Sequence, residues 1–195
     1  MSEDTTPETD DFALADEFAL ATQTPLQPLL VDEIERAGGR ITFAKFMAMA
    51  LGHPEHGYYS QPGLRWGRDG DYETSPEVHP VFGYLWARQV LECWQRLGEP
   101  SPFALIELGC GSGAFMRSML TWLRARAPHC FAAVRPVMLD GHPNRLADQR
   151  AHLASAGFEV EHALASEWLT RPDQVTGVVI SNEFFDALPV HLVRR

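Results

Sequence analysis

Residues 103–116, FALIELGCGSGAFM, limit the possible folds of this chain more than any other stretch. A short, continuous apolar run reads as a strand buried on both faces. It breaks at Gly109, Gly111 and Gly113, and AFMRSMLTWLRARA after it has the apolar spacing of an amphipathic helix. Glycines at such a junction let the backbone turn sharply and approach a ligand with no Cβ in the way. The helix that follows offers free N–H groups to whatever lies above it. The same rhythm repeats downstream. VRPVMLD (134–140) is a second strand leading to the helix PNRLADQRAHLASAG, FEVEHA is a third strand, and GVVISNE (177–183) is a fourth. Strand–helix–strand units with apolar strands predict an α/β, Rossmann-like fold: a parallel sheet with helices on both faces.

Upstream the pattern is helical. PLQPLLVDEIERAG places Leu30, Ile34 and Ala37 on one face and stops at Gly38-Gly39. Thr42 precedes a second apolar-faced helix, FAKFMAMALG. Residues 53–77 are dense in Gly, Pro and aromatic residues and read as a loop, long enough to be functional. Helix is expected to resume at Thr74-Ser75-Pro76-Glu77, where Thr74 with Glu77 matches a capping box and Ser75-Pro76 matches a cap with proline at the first helical position. It is expected to run to Gly98, with Trp86, Trp94 and, farther on, Trp122 in the core. The organisation read from the sequence is therefore an acidic, disordered tail (1–24), a helical region carrying the 53–77 loop (25–100), and a Rossmann-like domain (101–195) preceded by helices.

Glycine spacing separates two cofactors. A dinucleotide loop has its third glycine three places after the second. Here the order is GxGxG with Glu107 two places ahead, which resembles the first motif of class I S-adenosylmethionine-dependent methyltransferases. Asp140 ends the second strand, where an acid can accept from both ribose hydroxyls of an adenosine cofactor; capping the helix that starts at Pro143 is its other reading. Residues near His162 and Ala163 on the third strand are expected to flank the adenine.

Composition narrows the classes. Twenty-six acids against sixteen Lys and Arg leave a net charge of −10, which disfavours nucleic-acid binding. Seven of the acids fall in residues 1–20, which carry no base. Cys93, Cys110 and Cys130 are odd in number and lack CxxC spacing, so they read as reduced thiols in a cytoplasmic protein. No segment approaches the apolar length of a membrane span. His53 and His56 lie in a Gly/Pro loop without a matching acid or Cys pair, so no metal site is expected.

The segments HPEHGYYS, GDYETSPEVHPVFG, ELGCGSGAFM and SNEFFDALPV, in this order, resemble the MidA-like family of class I S-adenosylmethionine-dependent methyltransferases. That family includes a mitochondrial complex I assembly factor acting as a protein-arginine methyltransferase. The resemblance runs from about Pro25 to the end. It implies S-adenosyl-L-methionine as cofactor and methyl transfer to an arginine of a partner protein, a respiratory-chain subunit among the candidates. On that basis Glu107, Gly109, Gly111, Gly113 and Asp140 bind the cofactor, together with Thr74, Ser75 and Pro76, which with the 53–77 loop form a lid or a substrate rim. Asn182, Glu183 and Asp186 hold the acceptor, carboxylates being suited to orient a guanidinium. Phe184 and Phe185 wall off water. Capping of the next helix by the two acids and core packing of the two rings remain the other readings. The chain departs from the family at Cys110 and Ser112, where Pro and Arg are usual, and at Asp140-Gly141-His142-Pro143, where Glu and a Ser-Pro pair are usual.

A non-catalytic assembly factor or docking module with the same fold is the alternative function, and a nicotinamide-dependent oxidoreductase a more distant one. A sheet of this class has seven strands and four are legible, so a C-terminally truncated member, poorly soluble or inactive alone, is expected.

Overall fold

A computed structural model describes residues 24–61, 70–71, 73–172 and 174–194. The expected acidic tail lies outside these residues except for Thr24, as does the centre of the 53–77 loop. Two compact units are present. Of the described residues, one comprises those up to Tyr58 together with those from Pro189; the other comprises those within Tyr59–Leu188.

In the first unit, α1 spans Leu26–Arg36 and α2 spans Phe43–Gly52. The buried residue of α1 is Leu26, while the expected face residue Ala37 is its exposed C-cap. Thr42 caps α2, its hydroxyl accepting from the Lys45 N–H at 3.1 Å. Glu33 pairs with Arg36 at 2.7 Å and with Lys45 at 3.0 Å. His53 serves a local turn: its Nδ1 accepts from the Glu55 and His56 N–H groups at 3.3 and 3.2 Å.

A 3-10 turn at Tyr58–Ser60 covers the boundary, and the second unit continues with α3 (Ser75–Val78) and α4 (Val81–Arg96). The single helix expected from Thr74 to Gly98 is thus two. Pro80 has no N–H to continue the first and drives His79 to extended backbone, φ −160° and ψ 137°. The sheet follows: β1 (Phe103–Leu108), α5 (Ala114–Arg126), α6 (Pro128–Ala133), β2 (Val134–Asp140), α7 (Pro143–Ser155), β3 (Glu161–Leu164), α8 (Ala165–Trp168), β4 (Gly177–Ser181) and a 3-10 turn at Phe185–Ala187. All pairings are parallel, in the order β3-β2-β1-β4.

Alternation along the strands divides the core. Phe103 and Leu105 of β1 and Met138 of β2 face a layer formed by Ala87, Val90 and Trp94 of α4, Phe115 to Leu123 of α5 and Leu153 of α7. Ala104, Ile106, Val137 and Leu139 face the other way, toward Ala165 and Trp168 of the short α8. Helical cover is therefore unequal, and Val179 of β4 on that second face is 61% exposed. Since α4 belongs to the first layer, the sheet-bearing unit begins before the boundary expected at residue 100. Trp94 is core and its indole donates to the Pro100 carbonyl at 2.9 Å, whereas Trp86 is 42% exposed rather than buried. The third strand starts later than FEVEHA suggests. Phe158 packs edge-to-face on Phe131 instead of joining the ladder, and Leu164, paired with Asp140, ends the strand. Ala163 and Leu164 thus form the carboxyl end of β3.

Candidate functional site

After β3 the chain crosses to β4 on the far side of β1, so the sheet reverses its winding between β1 and β4. In open parallel sheets the crevice at the carboxyl ends of such a strand pair is where ligands bind. The register sets Leu108 opposite Ser181, which brings ELGCGSG and SNEFF side by side.

The glycine loop depends on backbone that side chains rarely adopt: φ is +69° at Gly109, +53° at Gly111 and +88° at Gly113. Two of the three are also sterically required. A Cβ on Gly109 would lie 2.5 Å from Cδ2 of Phe184, so that ring rests directly on the loop. A Cβ on Gly113 would lie 2.8 Å from Cδ2 of Leu153 and 3.2 Å from Cε of Met138, where α5 meets the sheet. Cys110 is buried, its Sγ directed at the Glu107 and Leu139 carbonyls, and burial holds its thiol protonated.

Glu107 is 3% exposed and accepts from the Met116 N–H in the first turn of α5; its Oε2 has no partner among the described residues. Burial, aided by the charges of Asp140 and Glu77, raises its carboxyl from 4.5 to about 8, against the Met116 bond. Because the folded value exceeds the unfolded one, this group's stabilising contribution is complete below about pH 4.5 and declines as pH rises toward 8. Thermal denaturation across that window should show the decline in the native protein and its absence in Glu107→Gln. Matching profiles would refute a buried, protonated Glu107.

Asp140 is 6% exposed. Its Oδ1 accepts from the His142 N–H at 3.1 Å and its Oδ2 from Gln149 Nε2 at 2.9 Å. The N-cap of α7 is His142, with no side-chain cap bond, so Asp140 does not cap that helix. Next to it, His142 Nδ1 is 3.2 Å from Ser60 Oγ, and Arg145 donates to the Tyr59 carbonyl at 3.1 and 3.2 Å. Burial lowers the His142 pKa; Asp140 opposes this and Arg145 adds to it. The end of HPEHGYYS is thereby placed beside the second strand end.

The TSPE block differs from expectation. Thr74 is the N-cap of α3 but makes no side-chain cap bond. Glu77 does not reach back to it. Its carboxylate instead accepts from the Ser112 hydroxyl, which in turn accepts from the Ala114 N–H at 3.1 Å. Glu77, rather than Thr74, Ser75 or Pro76, joins this block to the glycine loop.

On the β4 side Asn182 is half-buried, and Glu183 is exposed in the left-handed region at φ +48°. Phe185 is 70% exposed and meets Phe184 edge-to-face at 5.5 Å, so the pair is not simply core. Asp186 is exposed within the 3-10 turn, whose N-cap is Phe184 with no side-chain cap bond. Neither acid is engaged in capping. Gln149 escaped the sequence reading, whereas Glu77 was read as a capping-box partner in the TSPE block. Gln149 left one signal, a polar residue in the inward stripe Leu146–Gln149–Leu153 of α7.

Residues 85–195 match the family described as "Putative S-adenosyl-L-methionine-dependent methyltransferase". The chain is 34% identical to the Drosophila melanogaster "Protein arginine methyltransferase NDUFAF7 homolog, mitochondrial", over 78% of this chain and 38% of that protein. Its identity to the Homo sapiens "Protein arginine methyltransferase NDUFAF7, mitochondrial" is 28%, over 94% and 45%. A Burkholderia thailandensis protein solved bound to S-adenosyl-homocysteine superposes with a TM-score of 0.71 at 29% identity, covering 95% of this chain and 46% of that one. The chain thus spans less than half the length of these relatives.

The site suits the cofactor of that family. Glu107 Oε2 is a buried carboxyl oxygen with no partner among the described residues, open to a polar group of a ligand. Gly109, Gly111 and Gly113 hold the loop in left-handed backbone and put no side chain of their own between it and a ligand. Each Asp140 oxygen accepts one bond and retains lone-pair capacity for a ribose hydroxyl.

Proposed function

As the chain belongs to the S-adenosyl-L-methionine-dependent methyltransferase family matched by residues 85–195, we propose that it binds this cofactor across the β1/β4 crevice and serves methyl transfer to an arginine of a partner protein. The observation that carries this reading is the Leu108–Ser181 register, which sets the glycine loop against Asn182–Phe184 with Asp140 one strand away. The cofactor supplies an activated methyl on a sulfonium, open to in-line displacement by a nitrogen nucleophile. Asp140 holds the ribose. Glu107 and the first turn of α5 face the methionine part, and Phe184 excludes water above Gly109. Glu183 and Asp186, free of capping duties, orient the guanidinium by charge-assisted hydrogen bonds and favour positive charge on the nitrogens not under attack. Asn182 adds an amide to the same rim, and Thr74, Ser75 and Pro76 border it through the Glu77–Ser112 bond. The names of the relatives support arginine as acceptor, and a respiratory-chain subunit is one candidate partner.

Two measurements test this. Calorimetric titration of the complete protein should detect S-adenosyl-homocysteine; no heat of binding ends the enzyme reading. Glu183→Gln should lower transfer to an arginine-bearing acceptor by about 100-fold, the scale of one lost electrostatic contact in a transition state, with cofactor affinity changed by less than about threefold. Unimpaired function of that variant in cells would favour a non-catalytic docking role.

A further inference from the structure

Gln149 has no part in the proposal above, yet it is the most completely buried polar residue of the site, at 1% exposure. It lies on α7 one turn before the buried Leu153. Its Nε2 donates to Asp140 Oδ2 at 2.9 Å and to the Gly111 carbonyl at 3.1 Å, which uses both amide hydrogens. The amide has one sensible orientation. Turned over, its oxygen would face a carboxylate and a carbonyl, two groups with nothing to donate. Its Oε1 is buried and has no partner among the described residues. The other Asp140 oxygen is held by a backbone N–H, that of His142.

One side chain therefore ties the acid at the end of β2 to a peptide in the middle of the glycine loop. A carboxylate on a strand end has two side-chain torsions, and immobilising them when a ligand arrives weakens binding. Gln149 and the His142 N–H remove that freedom beforehand. An amide suits the task better than a cation, because it fixes Asp140 while leaving its full negative charge for incoming hydroxyls.

We infer that Gln149 is the positioning residue for adenosine-bearing ligands, holding the Asp140 carboxylate and the Gly111 peptide in one fixed relation so that the acid meets the ribose diol. The inference rests on the reading of the crevice as an S-adenosylmethionine site. Its signature is a change in how strongly the protein senses the two ribose hydroxyls, which a merely structural glutamine would not produce.

Calorimetry of the complete protein with S-adenosyl-homocysteine and its 2′,3′-dideoxy analogue tests this. The native protein should bind the parent at least about tenfold tighter than the analogue, the scale of one charge-assisted hydrogen bond. In Gln149→Met the parent should weaken by about tenfold and the analogue by less than about threefold, so discrimination collapses. Gln149→Asn keeps the amide but withdraws it by one methylene; it should give the same collapse and serves if the methionine variant does not fold. Equal weakening of both ligands, or an unchanged ratio, overturns the inference while leaving cofactor binding intact. No binding of the parent by the native protein overturns the methyltransferase reading and this inference with it.

Discussion

Gly177→Ala should destabilise the protein by about 3 kcal/mol or more, the upper range for forced overpacking. A Cβ at this position would be driven into the backbone of Ala104, meeting its carbonyl oxygen, its carbonyl carbon and its Cα. A flexible side chain could step aside, but the main chain of a central strand cannot. Gly177 is paired with Ala104 at the start of the β1/β4 ladder, and the Ala104 N–H donates to the Thr176 carbonyl at 2.9 Å. The methyl would pry β4 from β1 where their alignment is set. Urea midpoints should report the loss, and cofactor affinity should fall with it, because the crevice needs Ser181 level with Leu108. Gly141→Ala is the control. No atom of the described residues lies within 4 Å of a Cβ there, and its stability should change by less than about 0.5 kcal/mol. Equal midpoints for Gly177→Ala and the native protein would show that β4 is not held in this register.

Asp140→Ala should weaken S-adenosyl-homocysteine by about 100-fold, equivalent to two lost hydrogen bonds to a charged group. The carboxylate is the hub of the second strand end. The variant deletes the acceptor for the ribose, frees the His142 N–H and leaves one Gln149 amide hydrogen without its acceptor inside the fold. Because an unpartnered buried donor also costs stability, thermal denaturation should be followed alongside affinity. Asp140→Asn keeps the volume and one oxygen and should lose less of both. An Asp140→Ala protein that binds as tightly as the native one would remove this residue from the cofactor site.

Some features were legible because they are local. VRPVMLD is β2 over the residues read from its apolar run, and FAKFMAMALG is α2 with Thr42 as its cap. Other differences also have local causes. The helix read through His79-Pro80 breaks because proline lacks the N–H that α3 would need. Phe158, an apolar residue before a strand, was drawn into FEVEHA although it packs among helices. The TSPE block misled for a different reason. Thr74 and Glu77 have the spacing of a capping box, but Glu77 finds a stronger claim in Ser112, 35 residues away.

The chain's own pattern determined a parallel sheet of four strands, a loop of glycines at its first strand end and an acid at its second, because apolar run length and glycine's freedom at positive φ act over a few residues. It did not determine that β4 would lie against β1, that the Phe184 ring would rest on Gly109, or that Gln149 would turn inward to hold Asp140 and the Gly111 carbonyl 38 residues away. Those contacts join segments that have no local preference for each other. They form once the crossover after β3 has chosen a sheet edge and the buried acids and carbonyls at the strand ends need partners that only distant parts of the chain can supply.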